Sequence, residues 1–166
     1  LYFRERDGVW LVSWSGTSGF TQLRDGQIDM KRTFVGDFNG DGKSDVLYLR
    51  ARDGAWLVSW AGSSGFGMLR DGQIDVDRTF VGDFNGDGKS DVLYFRERDG
   101  VWLVSWSGTS GFTQLRDGQI DMKRTFVGDF NGDGRSDVLY FRERDGVWLV
   151  SWSGTSGFTQ LRDGQI

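Results

Sequence analysis

A chain of 166 residues with no cysteine, histidine or proline cannot build thiol or imidazole nucleophiles, imidazole general bases, or the usual zinc and haem ligand sets. Only carboxylate, hydroxyl and lysine chemistry remains, so an enzyme is not expected. The formal charge of −4 is uneven: nine Asp and three basic residues in three loops account for −6, and everything else sums to +2, which implies neither a nucleic-acid partner nor an acidic tail.

In chain order, the sequence repeats with a period of 46 residues. Leu1 to Val46 matches Leu93 to Val138 at 45 of 46 positions, differing only as Lys43 against Arg135, and Leu139 to Ile166 repeats Leu1 to Ile28 unchanged. The second copy departs at nine places, among them Leu49, Ala51 and Met68. Such a period signals a repeat architecture. Residues 1–28 form a partial unit, and residues 29–74, 75–120 and 121–166 form complete ones. Each complete unit carries four strand-length runs, which in the first are Thr33 to Phe38, Val46 to Arg50, Ala55 to Ala61 and Phe66 to Leu69. Asp53-Gly54 between the second and third predicts a two-residue type I′ hairpin. Asp71-Gly72 predicts the turn after the fourth. Trp10, Val12 and Trp14 fall on one face of a strand by alternation, with Leu11 on the other.

Four short antiparallel strands repeated at this period predict an all-β fold, a β-propeller of four-stranded blades, three complete and one partial. A blade is apolar on both faces and is covered by its neighbours. The partial blade lacks an inner strand, so the chain is expected to pair with itself as a homo-oligomer or to belong to a longer array. It starts at Leu1, which reads as a processed or truncated product. No apolar run approaches the roughly 20 residues of a membrane helix, and membrane insertion is not expected.

The strongest chemical signal is the nonapeptide Asp37-Phe38-Asn39-Gly40-Asp41-Gly42-Lys43-Ser44-Asp45, repeated at 83–91 and 129–137. Side-chain oxygens recur at positions 1, 3, 5 and 9, and a glycine at position 6 permits the loop to curl. A hard cation takes six to eight oxygens at such a loop, with a backbone carbonyl at position 7. The spacing therefore predicts one Ca2+ per complete blade, three in all. The ligands would be Asp37, Asn39, Asp41, the Lys43 carbonyl and Asp45; Asp83, Asn85, Asp87, the Lys89 carbonyl and Asp91; and Asp129, Asn131, Asp133, the Arg135 carbonyl and Asp137. An EF-hand or a dockerin is excluded by the flanks, since position 12 is Tyr48 and strands surround the loop.

The segment Phe34 to Tyr48, with the tail DGVWLVSWSG, resembles the FG-GAP or VCBS-type repeat of integrin-like propellers and secreted proteins. That resemblance implies a structural metal held directly by Asp37, Asn39, Asp41, Asp45 and their counterparts. It also implies a secreted module serving adhesion, carbohydrate binding as a lectin, or a hydrolase as an accessory domain. The near-identity of the copies points to recent amplification or design, and a ligand-free structural propeller is one alternative.

A meander alternates its ends. The metal loops are expected to share one rim with turns such as Ser15 to Gly19. The other rim is expected to carry Arg4, Glu5, Arg6 and Asp7 beside Arg24, Asp25, Gln27, Asp29, Lys31 and Arg32. This rim, copied blade after blade, suits a multivalent glycan or extracellular protein. The only glutamates, Glu5, Glu97 and Glu143, stand among arginines and suit salt bridges better than acid catalysis.

Overall fold

The computed structural model describes residues 1–163. Residues 164–166, the end of the fourth repeat, lie outside the described residues. Among the described residues, fifteen strands form four antiparallel sheets in sequential order. Sheet one has three strands, β1 (Tyr2–Arg4), β2 (Val9–Val12) and β3 (Thr21–Asp25). Sheet two has β4 (Thr33–Gly36), β5 (Asp45–Leu49), β6 (Ala55–Ser59) and β7 (Gly67–Asp71). Sheet three has β8 (Thr79–Gly82), β9 (Asp91–Arg96), β10 (Val101–Ser105) and β11 (Thr113–Asp117). Sheet four has β12 (Thr125–Gly128), β13 (Asp137–Arg142), β14 (Val147–Ser151) and β15 (Thr159–Asp163). The architecture is all-β, a propeller-type repeat of three complete blades and one partial blade.

Four local expectations are corrected. The first strand of a unit stops at Gly36 rather than Phe38, because the Asp37 carboxylate turns the chain by accepting the amides of Gly40 and Gly42. The third stops at Ser59 rather than Ala61: Trp60–Gly62 is a 3-10 turn in which Ala61 has φ 50°. The fourth runs Gly67–Asp71, not Phe66 to Leu69, with a register shift between Trp56 and Leu57. At Asp53-Gly54 only the glycine has positive φ, 71°, and residues 51–54 form a four-residue loop closed by Arg50 N donating to the Ala55 carbonyl at 2.8 Å. A type I′ turn needs positive φ at both centres; here the Asp53 carboxylate instead bonds Arg50 Nε and Ala55 N.

The chain divides into two compact units, residues 1–35 with 43–73, and residues 36–42 with 74–166. In unit one, Phe3, Trp10 and Val46 form a buried core with Leu23, Ile28 and Phe66 packed against it. In unit two, Phe84, Leu93, Phe95, Trp102, Val104 and Val138 do so. The same joint between sheets occurs once in each unit. Arg24 lies over the rings of Trp10 and Phe66 and donates to Ser59 Oγ at 2.8 Å and to the Ser64 carbonyl. Arg116 lies over Trp102 and Phe158 and donates to Ser151 Oγ at 2.8 Å and to the Ser156 carbonyl. Arg24 therefore leaves the rim where the sequence placed it, because the aromatic faces and serine acceptors of the next sheet offer a desolvated cation its partners. Burial holds both guanidinium pKa values below their usual one.

Candidate metal-binding loops

Two of the three acidic loops lie whole within unit two. In residues 83–91, Asp83 Oδ1 accepts from the amides of Gly86 at 2.7 Å and Asp87 at 3.2 Å, and Oδ2 accepts from Gly88 at 2.8 Å. Asn85 Oδ1 accepts from Asp87 N, and Asp87 Oδ1 from Lys89 N. Gly86 and Gly88 take φ of 77° and 82°, the left-handed region that lets successive amides converge on one carboxylate. Residues 129–137 repeat this: Asp129 accepts from Gly132, Asp133 and Gly134, Asn131 from Asp133, and Asp133 from Arg135. The Gly134 amide, followed by those of Gly132 and Asp133, holds the Asp129 carboxyl below the usual carboxylate range.

The ninth position differs in kind. Asp91 and Asp137 are fully buried, and each bridges two amides. Asp91 Oδ2 accepts from Phe84 N at 3.0 Å and Oδ1 from Ser107 N at 2.7 Å. Asp137 does the same with Phe130 N at 3.0 Å and Ser153 N at 2.7 Å. These bonds tie the loop to the turn after the third strand, which places both on one rim as expected. Burial, with the negative charges of Asp87 and Asp83 adding, pushes the Asp91 carboxyl up to about 6 against the pull of its two amides.

The remaining loop is divided. Asp37, Asn39 and Asp41 belong to unit two, where Asp37 accepts from Gly40, Asp41 and Gly42, and Asn39 Oδ1 accepts from Asp41 N. Lys43 and the wholly buried Asp45 belong to unit one, where Asp45 Oδ1 accepts from Ala61 N at 2.8 Å.

As an oxygen-only donor set with a glycine-assisted curl, each unit-two loop fits a hard cation chemically. Among the described residues, however, no three acidic side chains form a metal-holding group as they stand. Their oxygens are turned onto loop amides, and a cation would have to share them. A signal the sequence reading passed over is the serine at loop position 8. Ser90 N donates to the Asp37 carbonyl and Ser136 N to the Asp83 carbonyl, each at 2.6 Å, chaining one loop to the next within unit two. The position-7 side chains follow the same direction: Cβ atoms added at Gly40 and Gly86 would lie 3.1 Å from Lys89 Cγ and Arg135 Cγ.

The family of the FG-GAP-like repeat matches residues 83–140, from the first acid of one loop through a whole period and the next loop. The 46-residue copies carry the same residues along the rest of the chain, and the sheets follow the same four-stranded plan. Residues 83–140 are thus an FG-GAP-like repeat, and the other copies carry the same repeat sequence. No curated relative matches it.

On the rim opposite the loops, the FG-GAP repeats form a recurring groove. In unit one a cleft of about 420 Å³ is lined by Gln27, Tyr48, Arg50, Arg52, Leu57 and Phe66. In unit two the positions two periods later, Gln119, Tyr140, Arg142, Arg144, Leu149 and Phe158, line one of about 350 Å³. Tyr48 and Phe66 stand 6.1 Å apart, Tyr140 and Phe158 6.0 Å. Two glutamates of this rim are paired, Glu97 with Arg78 at 2.5 Å and Glu143 with Arg124 at 2.7 Å. Trp10 and Trp102 are core. Trp14, expected beside Trp10 on a strand face, lies in the 3-10 turn Trp14–Gly16, exposed.

Proposed function

We propose that this FG-GAP repeat protein is a non-enzymatic, secreted binding module, stabilised by calcium at its acidic loops, whose rim grooves take hexose units of a glycan. The observation that carries the reading is the groove that recurs two periods apart with the same six residue types, the first groove having Ala51 besides. The half-buried tyrosine with its Gln and Arg neighbours at the mouth of the cleft would meet the hydroxyls of a sugar ring. The volume suits one ring. Repetition of a weak site along an array raises avidity without any new contact.

In the loops whole within unit two, Asp83, Asn85, Asp87, the Lys89 carbonyl and Asp91, and Asp129, Asn131, Asp133, the Arg135 carbonyl and Asp137, would hold the ion. Bound there, calcium supplies positive charge that offsets the mutual repulsion of the loop acids. Extracellular modules of this kind work at calcium levels found outside cells. The experiment is a glycan array probed in calcium, with melting measured in calcium and in chelator. Retention on hexose glycans that Tyr48→Ala with Tyr140→Ala abolishes supports the groove; retention on none overturns it in favour of a protein-adhesion or purely structural array. Chelation is expected to lower Tm by several degrees, since saturation of one site at a hundred times its Kd adds about 2.7 kcal/mol. An unchanged Tm removes the metal from the account.

A further inference from the structure

Within each unit, one joint shows how two sheets of this chain recognise each other. The face of sheet three that carries Phe80 and Leu93, and Phe95 and Trp102, packs on the face of sheet four that carries Tyr140, Leu149 and Phe158. Unit one repeats the joint between sheet one, through Phe3 and Trp10, and sheet two, through Tyr48, Leu57 and Phe66. Each sheet thus has a ridge face and a socket face.

Among the described residues, a ridge face on sheet four and a socket face on sheet one carry exposed aromatic side chains. On sheet four the ridge residue Phe126 is 51% exposed beside a half-buried Trp148, and Phe130 is 44% exposed where its counterpart Phe84 is 1%. On sheet one the socket residue Phe20 is 64% exposed, with Tyr2 and Trp14 open beside it. That socket is already shaped: Tyr2 and Phe20 stand 6.0 Å apart, the spacing of Tyr48 with Phe66 and of Tyr140 with Phe158 under cover. Ser13 and Ser18 occupy the places of Ser59 and Ser64, the acceptors of Arg24 in the covered joint.

We propose that a second copy of this chain docks its sheet-four ridge into the sheet-one socket of the first. The evidence for the partner is internal, because the chain shows both halves of this contact joined twice, with the same residue types at each position. The contact is heterologous, so it propagates from copy to copy and closes into a ring or grows as a filament according to its rotation. Exposed aromatic surface of this extent is a mark of an interaction face.

The two faces can be blocked separately, which makes the proposal testable on the full chain. Phe20→Asp spoils the socket and Phe126→Asp the ridge, and both side chains are already largely in water, so each variant is expected to fold; circular dichroism checks this. Sedimentation from low to high micromolar concentration is expected to show association of the unsubstituted chain, monomers for each variant alone, and a discrete dimer when the two variants are mixed, since one intact ridge then meets one intact socket. A chain that stays monomeric at high micromolar concentration, a folded variant that associates by itself, or a mixture that does not pair overturns the proposal.

Discussion

Four aspartates sit at the same place in the four copies and do the same work. Asp7, Asp53, Asp99 and Asp145 each pair with the arginine three residues earlier, at 2.7 to 2.9 Å. The bond from Arg50, aided by the Ala55 amide, brings the Asp53 carboxyl down to about 2, and the other three are lowered in the same direction. A folded-state pKa below the unfolded one means that the unfolded chain takes up protons first as pH falls. The stabilisation is therefore present above pH 4 and is lost between about pH 4 and pH 2. Urea unfolding at neutral pH and through this acid window should show that loss, and Asp53→Asn should lessen the pH dependence. The Asp-Gly dipeptide marked the turn in the sequence. Its actual form was hidden because an arginine three residues back outcompeted the two-residue geometry for the aspartate.

At the scale of elements, the loop and the turn of one blade end are held by a single carboxylate. Asp91 joins Phe84 N of the loop to Ser107 N of the turn, and among the described residues every buried side-chain nitrogen and oxygen has a partner. Asp91→Ala would strand two amides in a buried place and is expected to lower stability by about 3 kcal/mol in urea unfolding. Asp91→Asn keeps one acceptor oxygen and should cost less. The acids at positions 1, 3, 5 and 9 were legible as a set from their spacing. That position 9 serves as a buried strut was not, because its second partner lies 16 residues away, on an element whose end the alternation pattern overran: Ser107 has φ 51°, outside any strand.

At the scale of the molecule, the sheets of each unit are joined by a cation among aromatic rings. Arg116 stacks on Trp102 and Phe158 and donates across to Ser151 and Ser156, so Arg116→Ala is expected to cost about 3 kcal/mol in thermal or urea unfolding. Arg116→Lys should recover only part, since an ammonium cannot both stack as a plane and donate in a fork. The strand count, the meander, the all-β class and the repeat family were all contained in the 46-residue period, in the turn residues that punctuate it and in the DFNGDG loop, because these depend on neighbours near in sequence. What only the tertiary structure decided is which groups cross between copies: Arg24 and Arg116 left the rim, and Ser90 and Ser136 joined one loop to the next. Those contacts depend on a face supplied by another copy of the repeat, and a sequence whose copies are nearly identical gives every copy the same residues while the packing buries Phe84 and leaves Phe130 in water.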